Sequence, residues 1–191
     1  DEEIVAANWN FINKLWNATR FVLTNVDDVN ITLNKEKLDL TDKWILTKYN
    51  NTIKEVTRNM EKYEFNNVGS ALYSFIWDDF CDNYIEFAKY KLDKTSTKYV
   101  LIHVLKGILQ MLHPFMPYVT EEIYMMLPKH DESIMISKYP SYNKEQVFDV
   151  NFEVIIDLIV KIRKIKLENN LGKDFIVSYN SKLIKENVDI I

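Results

Sequence analysis

Apolar residues recur every three or four positions along most of the chain, which is the spacing of one face of an α-helix. Thr41 and Asn66 stand where helices should begin and are residue types that cap helix N-termini, whereas proline cannot continue a helix. The predicted helices are 4–25, a second from Thr41, a third from Asn66, a fourth that ends at Pro114, a fifth from 117 to 128, and a sixth at 151–169.

The third predicted helix is apolar on two sides. One seam runs through Val68, Leu72 and Ile76, and a second runs through Trp77 and Cys81. A helix that is apolar on two sides is expected at the centre of a bundle.

The pattern changes after residue 128. Alternating apolar residues predict a short extended piece over Ser133–Ser137, Gly172 is expected to end the sixth helix, and residues 175–179 favour one strand. The expected fold is mainly all-α: an antiparallel helix bundle with the start of a small α/β unit at the C-terminus. We assign residues 1–140 to the bundle and 141–191 to a linker, the sixth helix and the α/β segment.

The first helix also carries a polar stripe opposite its apolar side. Six residues recur on one helix face: Asn10, Asn13, Lys14, Asn17, Arg20 and Phe21. Amides and a guanidinium can make paired hydrogen bonds with nucleotide edges, and an aromatic ring offers a stacking surface. A solvated helix face explains the same pattern when the stripe is considered alone.

Composition restricts the classes of function. The chain has 191 residues, 3 glycines, one cysteine and a formal net charge of -4. An acidic balance argues against a broad, sequence-blind nucleic-acid binder, so RNA would need a local patch. A single cysteine excludes an intramolecular disulfide, and the longest apolar stretch is interrupted by polar residues, which argues against a membrane span.

Residues that could carry catalysis or bind metal are sparse. Three scattered glycines cannot form a phosphate-binding loop, and the three histidines lack ligand spacing. Cys81 is expected to be a buried, unreactive thiol, because the acidic residues beside it disfavour a thiolate. Asp78 and Asp82 lie one turn apart and could chelate a metal ion. Carboxylates in a bundle, however, more often pair with a cationic side chain. We therefore expect no catalytic residue and no metal site in this chain.

A set of motifs follows in order along the chain: residues 13–23 (NKLWNATRFVL), 41–46 (TDKWIL), 51–56 (NTIKEV), 73–84 (YSFIWDDFCDNY), 112–117 (LHPFMP), 120–123 (TEEI), 132–135 (ESIM) and 139–140 (YP). Together they resemble the anticodon-binding domain of valyl-tRNA synthetases, which are class Ia aminoacyl-tRNA synthetases. Two departures stand out: Asn83 replaces a common Trp, and Trp9 replaces a frequent Arg. The family's catalytic motifs, of the His-x-Gly-His and Lys-Met-Ser-Lys-Ser types, are absent from the chain.

The resemblance implies a helix bundle of the class Ia anticodon-binding type, taken from a larger enzyme. That enzyme would attach valine to tRNA(Val) with ATP and Mg, in the cytoplasm, while the present chain would need no cofactor and catalyse nothing. The expected partners are the anticodon stem-loop of tRNA(Val) and the catalytic domain of the same polypeptide, with no membrane and as a monomer.

The helix-one stripe is the expected RNA-binding site, together with Trp9 at its start. Lys54, Arg58, Arg163 and Lys166 are secondary candidates for phosphate contacts. Trp77, Asp78, Cys81 and Asp82 are assigned to structure. The alternatives are the anticodon-binding domain of an isoleucyl or leucyl enzyme, and a helical scaffold or interaction module with no RNA role.

Overall fold

The computed structural model describes residues 2–26, 37–170, 178 and 182–186. The chain forms two compact units, Asp1–Phe148 and Asp149–Ile191. Throughout the described residues the regular structure is helical and no strand occurs, which confirms the all-α expectation there. Apart from Ser178, the predicted strand at 175–179 lies outside the described residues, as does Gly172.

The first unit is a bundle of helices with one irregular helix at its centre. Its α-helices are α1 (Glu2–Asn25), α2 (Leu40–Glu61), α3 (Phe65–Ser74), α4 (Ile85–Ala88), α5 (Thr95–Leu112) and α6 (Pro117–Met125). A π-helix at Phe75–Tyr84 joins α3 to α4, and 3₁₀ turns occupy Ile134–Ile136 and Lys144–Gln146. The second unit contains α7 (Glu153–Glu168) and α8 (Lys182–Glu186). None of these described helices is both long and apolar enough to cross a bilayer.

Helix α5 forms the core of the first unit and packs against α1, α2, α3 and α6. Its fully buried apolar side chains are Val100, Leu101, Val104, Leu105, Ile108, Leu109 and Met111. Burial of one such side chain contributes about 1.5–3 kcal/mol. Gly107 lets α5 approach α2, since a Cβ atom at this position would lie 1.8 Å from the Tyr49 hydroxyl oxygen.

The π-helix explains the two apolar seams of the third predicted helix. Its wider turns are marked by the backbone N–H of Ile85, which donates to the carbonyl of Phe80 five residues earlier. The buried Asn83 side chain donates to the carbonyl of Asp78, also five residues back, at 2.9 Å. The wide turns change the phase of the helix, so residues before and after them bury different faces.

The predicted cap of α2 is wrong by two residues. Asp39, not Thr41, is the N-cap and accepts a hydrogen bond from the backbone N–H of Asp42 at 3.0 Å. The hydroxyl of Thr41 instead donates to Asp39 at 2.9 Å. Asp is as good an N-cap residue as Thr, and the ammonium of Lys91, which follows α4, lies 2.8 Å from both Asp39 and Asp42.

Other predicted boundaries also differ in detail. Helix α3 begins at Phe65 after Glu64, so Asn66 lies within the helix. Ser133–Ser137 is not a simple extended piece, because the Ser133 hydroxyl accepts from the backbone N–H of Met135 and starts a 3₁₀ turn. Helix α7 ends at Glu168, and Asn170 adopts the left-handed conformation with φ of 49°.

Candidate nucleic-acid interface

The polar stripe lies on the exposed side of α1. Asn10, Asn13, Asn17 and Arg20 are exposed, and Trp9 at the start of the stripe is 63% exposed. The opposite side of α1 is buried through Leu15 and Val22, among others. The helix therefore aligns three amides and a guanidinium along one accessible face, while Phe21 and Lys14 are half-buried beside it.

Lys14 is held by the π-helix rather than extended into solvent. Its ammonium is 2.6 Å from a carboxylate oxygen of Asp82 and 3.7 Å from the centre of the Trp77 ring. A cation over an indole face and a carboxylate at contact distance both favour this position. An RNA phosphate would have to compete with Asp82 for the Lys14 ammonium or share it, since the ammonium has three N–H donors.

The aromatic side chains beside the stripe are stacked on one another. The ring of Phe11 lies 5.4 Å from that of Tyr73, and Tyr73 lies 5.4 Å from Trp77, both pairs close to parallel. The three rings therefore form one stack, in which Tyr73 contacts both neighbours and Trp77 also contacts Lys14. Cys81 nearby is buried, and burial raises the pKa of its thiol to about 12, so the thiolate is strongly disfavoured at neutral pH.

Lys54 and Arg58 lie one turn apart on the exposed side of α2. They line a groove of about 600 Å³ together with Tyr139 and Tyr142. The Lys54 ammonium lies 5.5 Å from the centre of the Tyr142 ring. The sequence interpretation found the two cations but missed the tyrosines, since the two groups lie far apart in sequence and only the fold brings them together.

The remaining candidates belong to the second unit. Arg163 is exposed and Lys166 half-buried on α7. Arg163 and Lys166 each interact with another group of the chain. The described residues contain no group of three or more histidine, cysteine or acidic side chains that could hold a metal ion.

Comparisons with a family model and with individual relatives point to the same protein family. Residues 42–177 match the family described as the anticodon-binding domain of tRNA ligase. A valine–tRNA ligase of Bacillus cereus is 47% identical over 184 residues, covering 88% of this chain and 20% of that protein. A valine–tRNA ligase of Listeria innocua is 42% identical over 212 residues, covering 99% of this chain and 24% of that protein. The chain thus spans 20–24% of the length of these relatives.

A solved structure shares the fold. The Agrobacterium radiobacter LeuRS, crystallised as a ternary complex with tRNA and LeuAMS, matches with a TM-score of 0.59. The match covers 92% of this chain and 24% of the LeuRS chain at 15% sequence identity.

Proposed function

This chain belongs to the family of anticodon-binding domains of tRNA ligases, and from that membership we propose that it binds the anticodon stem-loop of tRNA(Val). The observation that carries the proposal is the accessible face of α1, with Asn10, Asn13, Asn17 and Arg20 in line. Relatives named valine–tRNA ligase align over as much as 99% of the chain, which favours valine as the amino acid of the parent enzyme.

The side chains of this face match the chemistry of unpaired nucleotides. An asparagine amide both donates and accepts, so one side chain can pair with a base edge. Arg20 can make two parallel hydrogen bonds with a guanine edge or with a phosphate. The exposed ring of Trp9 supplies a stacking surface at the start of the stripe.

The chain contributes recognition to a reaction that takes place elsewhere. In the proposed parent enzyme, a catalytic domain of the same polypeptide would activate valine with ATP and Mg, and the enzyme would act in the cytoplasm as a monomer. The bundle supplies binding free energy that depends on the anticodon, since a wrong base leaves polar groups of the protein unpaired. Lys54, Arg58, Arg163 and Lys166 would add phosphate contacts.

The proposal is tested by replacing Arg20 with alanine. Loss of a bidentate contact is worth about 1–3 kcal/mol, so Arg20→Ala should raise the Kd for the tRNA(Val) anticodon stem-loop by about 5- to 150-fold. A lost phosphate contact would also reduce the slope of log Kd against log salt by about one. Fluorescence anisotropy over a series of salt concentrations measures both quantities.

Lys129→Ala is the control, because Lys129 is an exposed cation outside the candidate surfaces. It should change the Kd by less than about twofold. Equal Kd values for the anticodon stem-loops of the valine, isoleucine and leucine tRNAs would contradict the proposed specificity for tRNA(Val). An unchanged Kd for both Arg20→Ala and Asn17→Ala would contradict the assigned face and would mean that the stem-loop binds another surface of the chain.

A further inference from the structure

A polar segment folds over α2 and α5 and is fastened at several points. We call residues 131–148 the strap. Gln110 of α5 donates to the Ser137 hydroxyl at 2.8 Å and to the carbonyl of Lys138 at 3.0 Å. Asn50 of α2 accepts from the backbone N–H of Asn143 at 2.9 Å. Because both anchoring side chains are buried, the residues between these points are held in place.

The strap borders an open pocket against the bundle, lined mostly by polar and aromatic side chains. The pocket has a volume of about 370 Å³, which is within the range of small-ligand sites. Its walls carry side chains with both hydrogen-bond donors and hydrogen-bond acceptors, including Tyr49, Gln110, Asn143 and Gln146. Lys106 and Lys138 line the same pocket, so a phosphate group can be neutralised there.

The groove of Lys54 and Arg58 lies on the other side of the same strap residues. Tyr139, Pro140 and Ser141 line both the pocket and the groove. Tyr139 is 41% exposed and Tyr142 is 42% exposed, so each keeps part of its ring accessible. The two depressions therefore form one surface, divided by a segment that carries two aromatic rings.

The charge of this surface differs from that of the whole chain. Four cations line it: Lys54, Arg58, Lys106 and Lys138. The acidic residues that line it are Asp131 and Glu61, which leaves a local excess of two positive charges. A chain with a net charge of -4 thus concentrates cations beside stacking rings, which is the combination that binds single-stranded nucleic acid.

We propose that the strap surface is a second RNA site, which holds two unpaired nucleotides, one on each side of Tyr139–Tyr142. One base enters the polar pocket, where the Asn143 side chain meets its edge and Lys106 and Lys138 meet its phosphate. The next base stacks on Tyr142, and its phosphate meets Lys54 and Arg58. The inference rests on the proposed RNA-binding function, but it uses residues that lie on other elements than the α1 stripe.

The geometry favours bases over other anionic ligands. An acidic peptide would use the four cations but would have no need of the accessible rings. The strap is fastened on both sides of the tyrosines, so little conformational entropy is lost when a base stacks there. The Lys54 ammonium lies over one face of the Tyr142 ring, so the base stacks on the part of that ring which remains exposed.

The test uses short RNA without a stem, so that the strap surface can be separated from the α1 stripe. The full chain is titrated with the tetranucleotide rU4 in the background of Arg20→Ala and Asn17→Ala, and irradiated samples are analysed by mass spectrometry. Cross-links to Tyr139 or Tyr142 are expected. Tyr142→Leu, which keeps an apolar side chain without an aromatic face, should raise the Kd for rU4 by about 5- to 150-fold.

Tyr90→Leu is the matched control, because Tyr90 is 91% exposed and lies outside both depressions. It should leave the Kd for rU4 unchanged, and thermal unfolding should show that both variants fold. Cross-links confined to α1 would overturn the strap site. So would equal effects of Tyr142→Leu and Tyr90→Leu on the Kd for rU4, or a polyglutamate peptide that competes with rU4 as strongly as RNA does. Loss of stem-loop discrimination with retained rU4 binding would count against the proposed function and leave the strap site standing.

Discussion

At the residue scale, long-range partners decide what each side chain can do. The α1 stripe predicts an RNA contact for Lys14, and in the structure its ammonium contacts Asp82 and the Trp77 ring. These partners lie more than 60 positions away, so no local pattern could reveal them. Arg20, on the same stripe, is exposed and is the better test of the surface.

Gly107 gives a residue-scale prediction about packing. Gly107→Ala should lower the free energy of unfolding by about 1–3 kcal/mol, because the new methyl group would meet the buried Tyr49 ring and force α2 and α5 apart. The clash outweighs the usual helix preference for alanine, which is about 1 kcal/mol. Urea unfolding followed by circular dichroism measures the change.

The same substitution at Gly69 should have the opposite effect on stability. It lies in α3, and a Cβ atom there would meet nothing within 4 Å. Gly69→Ala should therefore stabilise the chain by about 0.5–1 kcal/mol. If both substitutions changed stability in the same direction, the close approach of α2 and α5 would not explain the glycine at 107.

At the element scale, one buried cluster of charges ties the start of α2 to the end of the π-helix and to the turn after α4. The ammonium of Lys91 contacts Asp39, Thr41 and Asp42 at the start of α2. The hydroxyl of Tyr84, at the end of the π-helix, donates to Asp42 at 2.7 Å. Paired in this way, the fully buried Asp42 carboxylate is tolerated, and the start of α2 is fixed against the end of the π-helix.

Removing the cation from this cluster should be costly. Lys91→Met leaves the carboxylate of Asp42 buried without its ion pair, so the free energy of unfolding should fall by about 3–5 kcal/mol. Lys94→Met is the control, because the exposed Lys94 pairs with Asp39 at the longer distance of 3.5 Å. That change should cost less than about 1 kcal/mol, and urea midpoints for the two variants give the comparison. Equal losses of unfolding free energy in the two variants would mean that burial of the ion pair does not increase its contribution to stability.

At the scale of the whole molecule, the same cluster makes stability depend on pH. Burial by itself would raise the pKa of Asp39, but the charge and hydrogen bond of Lys91, with the Asp42 N–H and Thr41, hold it below the ordinary 3.8. The folded chain therefore binds this proton more weakly than the unfolded chain does. The stabilisation is complete above about pH 4 and is lost as the pH falls through the lower, folded-state pKa.

Asp39→Asn tests this pH dependence, since asparagine keeps an N-cap oxygen but cannot ionise. The variant should be less stable than the wild-type chain at pH 6, by about 1 kcal/mol, and the difference should shrink towards pH 2.5. Urea unfolding over that pH range gives the two curves. A difference that stays constant with pH would contradict the role of the Asp39 charge.

The helical organisation could be predicted from the sequence because helix periodicity is a local signal. The predicted range 4–25 agrees closely with α1 at Glu2–Asn25, and Pro117 begins α6 as expected. The predicted N-cap of α2 is wrong because Asp39 and Thr41 are both residue types that cap helices, so the local pattern does not decide between them. The strap surface was missed because hydrogen bonds from Gln110 and Asn50 create it after the bundle has formed.

The π-helix also bears on how this protein could change in length during evolution. An α-helix that gains a residue can absorb it in wider turns and keep its packing on both sides. Phe75–Tyr84 has such turns, and Asn83 and Ile85 both bond five residues back within them. Insertions and deletions are usually confined to loops, but in this chain a core helix has the geometry to accommodate a changed residue count. Homologous sequences aligned without gaps through this segment could therefore pair residues that face different neighbours.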